Sequence, residues 1–210
     1  MMENNKITEK ESIELIASMI ERTRQRYSLG DGNILLLWGY LTVIVSVLVW
    51  ILLYLTHNPV WNWLWFLIWI IGGSVTPFMA RKHQCAKGMK SYSDKLVSQA
   101  WSAVGFSAIA STAFCLGFLL ILGVNTWLMM FAFSLIIVPM AEIFNGLIVN
   151  EKSLVFGGGA GLLAGIFTTC CIAGKLPLGA NWFIPVLIGA FACMMVIPGH
   201  IINHKAKKEA

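Results

Sequence analysis

Glu142 is the one acidic residue that falls inside an apolar stretch of this sequence. Counted back from Asn150 at 1.5 Å per residue, it sits about 12 Å inside the apolar layer. An ionised carboxylate is costly there, so it is expected to be neutral, paired or wet. Asn145 lies three residues on, Ser134 eight before and Asn150 eight after, roughly on the same helical face. Pro139 removes a backbone donor about one turn earlier and is expected to kink the helix. This polar stripe has two readings: hydrogen-bonding glue between helices, or a proton or ligand site. No Lys or Arg falls in the middle of an apolar stretch to pair with Glu142.

A second pattern is Gly157, Gly161 and Gly165, continued by Thr169 and Ala173. Small residues every four positions let two helix backbones pack in van der Waals contact. Ala103, Ser107, Ser111 and Cys115 repeat the idea earlier in the chain. Such a row packs helices within one fold, or serves as a sliding or dimer interface between copies. The run Gly157–Gly161 is not a phosphate loop, because it lacks the strand, the turn and the Lys.

Other chemistry is thin. His200 and His204 are spaced to share a helical face, but two ligands are too few for a metal site. No GxSxG, no HExxH and no paired intramembrane aspartates occur, so no catalytic residue is assigned. The five cysteines form no CxxC pair and read as small hydrophobes. No metal or other cofactor is expected.

The elements that carry these residues are helices in lipid. Of the 210 residues, 58% are hydrophobic and 12% charged, against about 25% charged in soluble domains. Six apolar stretches, about 34–55, 60–79, 101–122, 127–149, 154–173 and 182–202, are each long enough to cross a hydrocarbon core of about 30 Å. Short turns pair them as three hairpins, one with two, three with four and five with six. The fold class is therefore all-α, a polytopic membrane protein. Residues 1–33 form a polar segment and linker, 34–202 the transmembrane domain and 203–210 a basic tail. Within the first segment, Thr8 and Glu11 fit a capping box, and Ile13, Ile16 and Ile20 share one face, predicting an amphipathic helix over 8–27. Residues 81–100 read as a long polar loop.

Lys and Arg set the orientation. In this topology Lys175 lies on one side and the other fourteen on the side of both termini. That side is expected to be the cytoplasm. Tyr54, Trp61, Trp63, Trp127 and Trp182 then mark the outer interface, and Trp38, Tyr40 and Trp101 the inner one. The net charge of +5 is spent on orientation and does not indicate nucleic-acid binding.

Three stretches resemble a family of small six-span bacterial inner-membrane proteins: LLLWGYL (35–41), HNPVWNWLWF (57–66) and MAEIFNGLIVNEKSLVFGGGAGLLAG (140–165). The segment ESIELIASMIERTR (11–24) is similar to its polar N-terminal helix. The resemblance implies a membrane component of a regulatory or envelope-stress system, and it carries no catalytic residues. The expected function is a non-enzymatic sensor, scaffold or regulatory component. Its partners would be the bilayer, a cytoplasmic regulatory protein and a second copy of the chain. The rival expectation is a small transporter or channel built on the stripe around Glu142.

Overall fold

The computed structural model describes residues 13–14, 31–87 and 92–209. These residues are helical, with no strand among them. The helix expected over 8–27 lies outside them, except for Ile13 and Glu14, which are helical. Helix α1 runs Asp31–Thr56, a 3-10 turn Pro59–Trp65, α2 Phe66–Lys87, α3 Tyr92–Leu122, α4 Leu128–Val149 and α5 Lys152–Ala173. The last span is α6 Ala180–Phe191, a π turn Ala192–Val196 and α7 Ile197–Glu209. Six helical spans among the described residues are long and apolar enough to cross a membrane.

The turns follow from local chemistry. Asn58 caps the 3-10 turn by accepting from the Val60 amide, and Pro59 takes the first position, where no donor is needed. Asn150 ends α4 in the left-handed conformation at φ 59°, which Asn tolerates well. One expectation changes. Where a polar loop over 81–100 was expected, α2 continues through Arg81 and Lys82 to Lys87, and α3 starts at Tyr92. Between Pro77 and Gly88 no Gly or Pro interrupts the chain, so the helix keeps its own hydrogen bonds as it leaves the apolar layer.

Backbone contact holds the core together. Along α4, Leu135, Pro139, Glu142 and Gly146 are buried. Leu135, Pro139 and Gly146 face Gly165, Gly158 with Gly161, and Leu154 of α5, which are also buried, while the buried Gly157 of α5 faces the last span. A Cβ at Gly158 would stand 2.8 Å from the Pro139 carbonyl oxygen, and one at Gly161 would stand 3.0 Å from the Pro139 ring. At Gly165 it would collide with the Leu135 carbonyl. That carbonyl has lost its helical partner, because Pro139 has no N–H to donate. The seam therefore seats a proline on glycines, with the freed carbonyl against the glycine farthest along.

The last span lies behind α5 and against α1. Met194 of the π turn contacts Gly157 and Gly161, and Gly39 of α1 meets Met195 and Val196. Gly32 and Gly199 bring the start of α1 against α7. This crossing and the α4–α5 turn lie on one face of the molecule, with Lys152, Lys205, Lys207 and Lys208, and form its basic face. Helices α2 and α3 are peripheral: α2 rests on α1, and α3 on α4. Only 6% of the apolar window of the second span is buried, against 39% in the last, which marks the second as outside the core.

Ala at Gly165 has to push α4 and α5 apart, at a cost of about 1–3 kcal/mol for overpacking. Gly159 has nothing within 4 Å of its Cβ position. Melting of the detergent-solubilised protein should show a clearly lowered Tm for Gly165→Ala and an unchanged or slightly raised one for Gly159→Ala.

Candidate functional site

Because α2 holds to α1 and α3 to α4, a cleft opens between the two pairs. Its volume is about 1370 Å³, more than the roughly 300–1,000 Å³ of a typical small-molecule site. It runs the height of the apolar layer. Asn62 and Asn125 line it at one end, and Asp94, Ser98 and Asn150 at the basic face. Between the ends the wall is mainly apolar, with Thr42, Thr76, Ser134 and Asn145 as polar points.

Aromatic rings build this wall. Trp38, Trp63, Trp65, Trp69, Trp101 and Trp127 line it, six of the chain's nine tryptophans. All but Trp101 make ring contacts across elements. Trp38 of α1 packs edge-on to Trp69 of α2 at 6.0 Å, and its indole N–H donates to the Thr76 hydroxyl at 3.0 Å. Trp65 meets Phe131 of α4 at 5.4 Å, and Phe66 meets Trp127 at 5.6 Å. Trp38, Trp63, Trp101 and Trp127, expected as interface markers, all sit in the cleft wall. Nothing in their spacing distinguishes the two places, because an amphipathic ring suits both.

The polar stripe of α4 is split. Ser134 and Asn145 line the cleft and Glu142 does not. Glu142 is fully buried, and neither carboxyl oxygen has a hydrogen-bond partner. At about 100° per residue, Ser134, Val138 and Asn145 fall about 40–80° to one side of Glu142, and Leu135, Gly146 and Pro139 about 20–60° to the other. Glu142 thus stands at the edge between the cleft face and the glycine seam. It is tied to no neighbouring helix by a hydrogen bond, and it is not open to the cleft.

The other candidates have local roles. Gly157, Gly161 and Gly165 are covered by α4 and the π turn within the same chain. On α3 the buried row is Val104, Ala108 and Cys115, with Ala103 exposed, so the packed face lies beside the expected one. A ring nitrogen of His200 lies 2.6 Å from the Tyr40 hydroxyl, while His204 is exposed. Among the described residues no three His, Cys, Asp or Glu side chains gather as metal ligands.

One polar contact was not foreseen. Lys205 of α7 donates to both oxygens of Glu151, at 2.9 and 2.8 Å, and Ser153 donates to the same carboxylate from its hydroxyl and its backbone amide. Glu151 thereby caps α5 and ties the α4–α5 turn to the end of the last span. Fifty-four residues separate the pair, so no local pattern announces it. No family model matches the chain, and neither a curated protein nor a solved structure is significantly similar to it.

Burial pushes the Glu151 carboxyl up, but the hydrogen bonds from Lys205 and Ser153, with the Lys205 charge, outweigh it and hold the group below its usual 4.5. The folded value is depressed. Its stabilisation is therefore whole above pH 4.5 and is lost as pH falls through the lowered value. Lys205 is half exposed, so solvent screening limits the pair to about 1 kcal/mol. Glu151→Gln should melt below the parent protein by a constant margin between pH 7 and 5. That margin should close as the carboxylate is protonated.

Proposed function

We propose that this chain is a non-enzymatic integral membrane protein whose working part is the aromatic cleft. The cleft receives an amphipathic molecule from the bilayer, and the protein acts as a sensor, scaffold or regulatory component that responds to it. The observation that carries this reading is the cleft itself: lipid-sized, apolar along its length and polar at both rims. Its two outer walls, α2 and α3, are the least buried spans, so an occupant can shift them at little cost in core packing. Both extend beyond the apolar layer on the basic face, where movement would be read out.

The basic face is assigned to the cytoplasm by the Lys and Arg distribution, with both termini there and short turns joining the spans as three hairpins. The resemblance to small six-span bacterial proteins favours an inner membrane. The amphipathic segment over 8–27 and the positive segment after Arg81 are the proposed contacts for a cytoplasmic regulatory protein, and a second copy remains a candidate partner.

Two measurements test this. Val138 lines the cleft from α4, and Trp at that position takes up the space. Protein purified in mild detergent should retain an amphiphile detectable by mass spectrometry, and Val138→Trp should lose it while melting normally. Equal retention by both proteins would put the molecule elsewhere on the surface. In a cysteine-less background, an impermeant thiol reagent should label Cys at position 58 or 125 in intact cells and leave Cys at position 207 unlabelled. The reverse result would invert the topology.

A further inference from the structure

We propose that the cleft takes a lipophilic organic cation and that Glu142 is the carboxyl that exchanges a proton for it. The inference rests on the reading of the cleft as a binding site, and it names the class of molecule bound.

The wall selects for positive charge. An aromatic face carries negative potential and attracts a cation, the more strongly once the cation has shed its water. Six tryptophans and four phenylalanines among the lining residues bring such rings to the cleft. The ionisable residues in its lining are Asp94 and Lys95, both at the basic rim. No cation waits inside to receive an anionic headgroup. A neutral molecule would use the apolar wall and leave Glu142 without a purpose.

Glu142 is the unsatisfied group. Ser46 and Thr168 are as deeply buried, yet each donates to the carbonyl four residues earlier. Glu142 bonds to nothing in its own helix or across the seam. Leaving a buried polar group unpaired is destabilising, so its place calls for a reason other than stability. Its position supplies one. Val138, one turn before it, and Asn145, three residues after it, both line the cleft. Glu142 therefore borders the cleft beside two of its lining residues, and cation binding requires its side chain to turn into the aromatic space.

The surroundings leave the exchange to this residue. Of the helices packed on α4, α3 carries Asp94 and Lys95 at the basic end and Cys115 toward the other. Helix α5 carries Lys152 at its start and Cys170 and Cys171 at its finish, with Glu151 in the preceding turn. The 3-10 turn and the start of α2, which reach α4 through Trp65 and Phe66, bring no charged residue near. The last span meets α4 through Phe183 and Phe131 and carries His200 and Lys205 toward the basic end and Cys193 beside Gly157, at about the depth of Glu142 but exposed and outside the cleft lining; none of the other groups sits at that depth. An uncompensated charge in the apolar layer is strongly disfavoured, so proton and cation replace one another. One cation enters as one proton leaves for the water at the cleft rim, and the net charge of the site is unchanged.

The test uses tetraphenylphosphonium and its neutral relative triphenylphosphine oxide on the full chain in lipid nanodiscs. Tryptophan quenching reports occupancy, and a pH indicator in weak buffer reports protons. The phosphonium should quench and release about one proton per cation bound, with affinity rising up to about tenfold per pH unit while the carboxyl holds its proton. Glu142→Gln should abolish proton release and pH dependence and weaken phosphonium binding at least about tenfold, with the neutral compound bound as before. Phosphonium binding by the unaltered protein without proton release, at a pH-independent affinity, would overturn the inference whatever the variant does. It would leave the cleft reading standing. Failure of both compounds to quench would remove the cleft reading, and the inference with it.

Discussion

Everything else in this molecule depends on the contact between α4 and α5, where two backbones touch because three or four side chains are missing. In water the hydrophobic effect would press the helices together. In lipid that force is absent, and close packing has to replace it. The glycines at 158, 161 and 165 let Pro139 and the Leu135 carbonyl come into contact with the partner helix. Pro139 and the glycines are therefore one device: the proline frees a carbonyl, and the glycine gives it room.

Hydroxyl groups take little part in joining the helices. Ser46, Thr56, Ser74, Thr76, Thr112 and Thr168 each donate to the carbonyl four residues earlier, within their own helix. This satisfies them in an apolar medium, and of the six only Thr76, which also accepts from Trp38 of α1, ties its helix to another. Cohesion is concentrated where backbones approach, on α1, α4, α5 and the last span. Helices α2 and α3 have few such approaches and stay at the margin. A cleft between them is the geometric result of a core that spends its small residues elsewhere. The aromatic contacts of Trp38, Trp65 and Phe66 keep it propped open at intervals.

The sequence makes the spans legible, because length and hydropathy suffice and the observed helices begin and end within a few residues of the expected bounds, except where α2, α3 and the last span run on past the apolar layer. The glycine row is legible as a place of close approach, since absent side chains have few other uses in a membrane helix. What it approaches is not legible: the proline of α4 and the methionine of the π turn carry no mark of their partners. The cleft is less legible still. Its wall is drawn from α1, α2, α3, α4 and the last span, and tryptophans facing one another look in sequence like tryptophans facing lipid headgroups. Glu142 stands out by residue type alone, but its place at the edge between seam and cleft needs the rotation of α4, which counting along the chain gives only roughly. The Lys205–Glu151 pair depends on where the last span ends, and so on the irregular turn within it.

That turn has its own consequence. The Ile197 amide reaches back five residues to the Ala192 carbonyl, just ahead of Pro198, which has no amide to give. A π turn holds one residue more than the α-helical path needs, which shifts the phase of all that follows by about 100°. The two halves of the last span are thus out of step by design. Phe183, Leu187 and Phe191 follow one helical screw, and Pro198, Gly199, Ile202 and Lys205 follow another. The extra residue acts as a vernier: it lets one half be adjusted to the aromatic wall and the other to Gly32 and Glu151 without compromise between them. A chain shortened by one residue within 192–196 would keep its composition and hydropathy almost unchanged, yet every side chain of α7 would be indexed to the wrong neighbour.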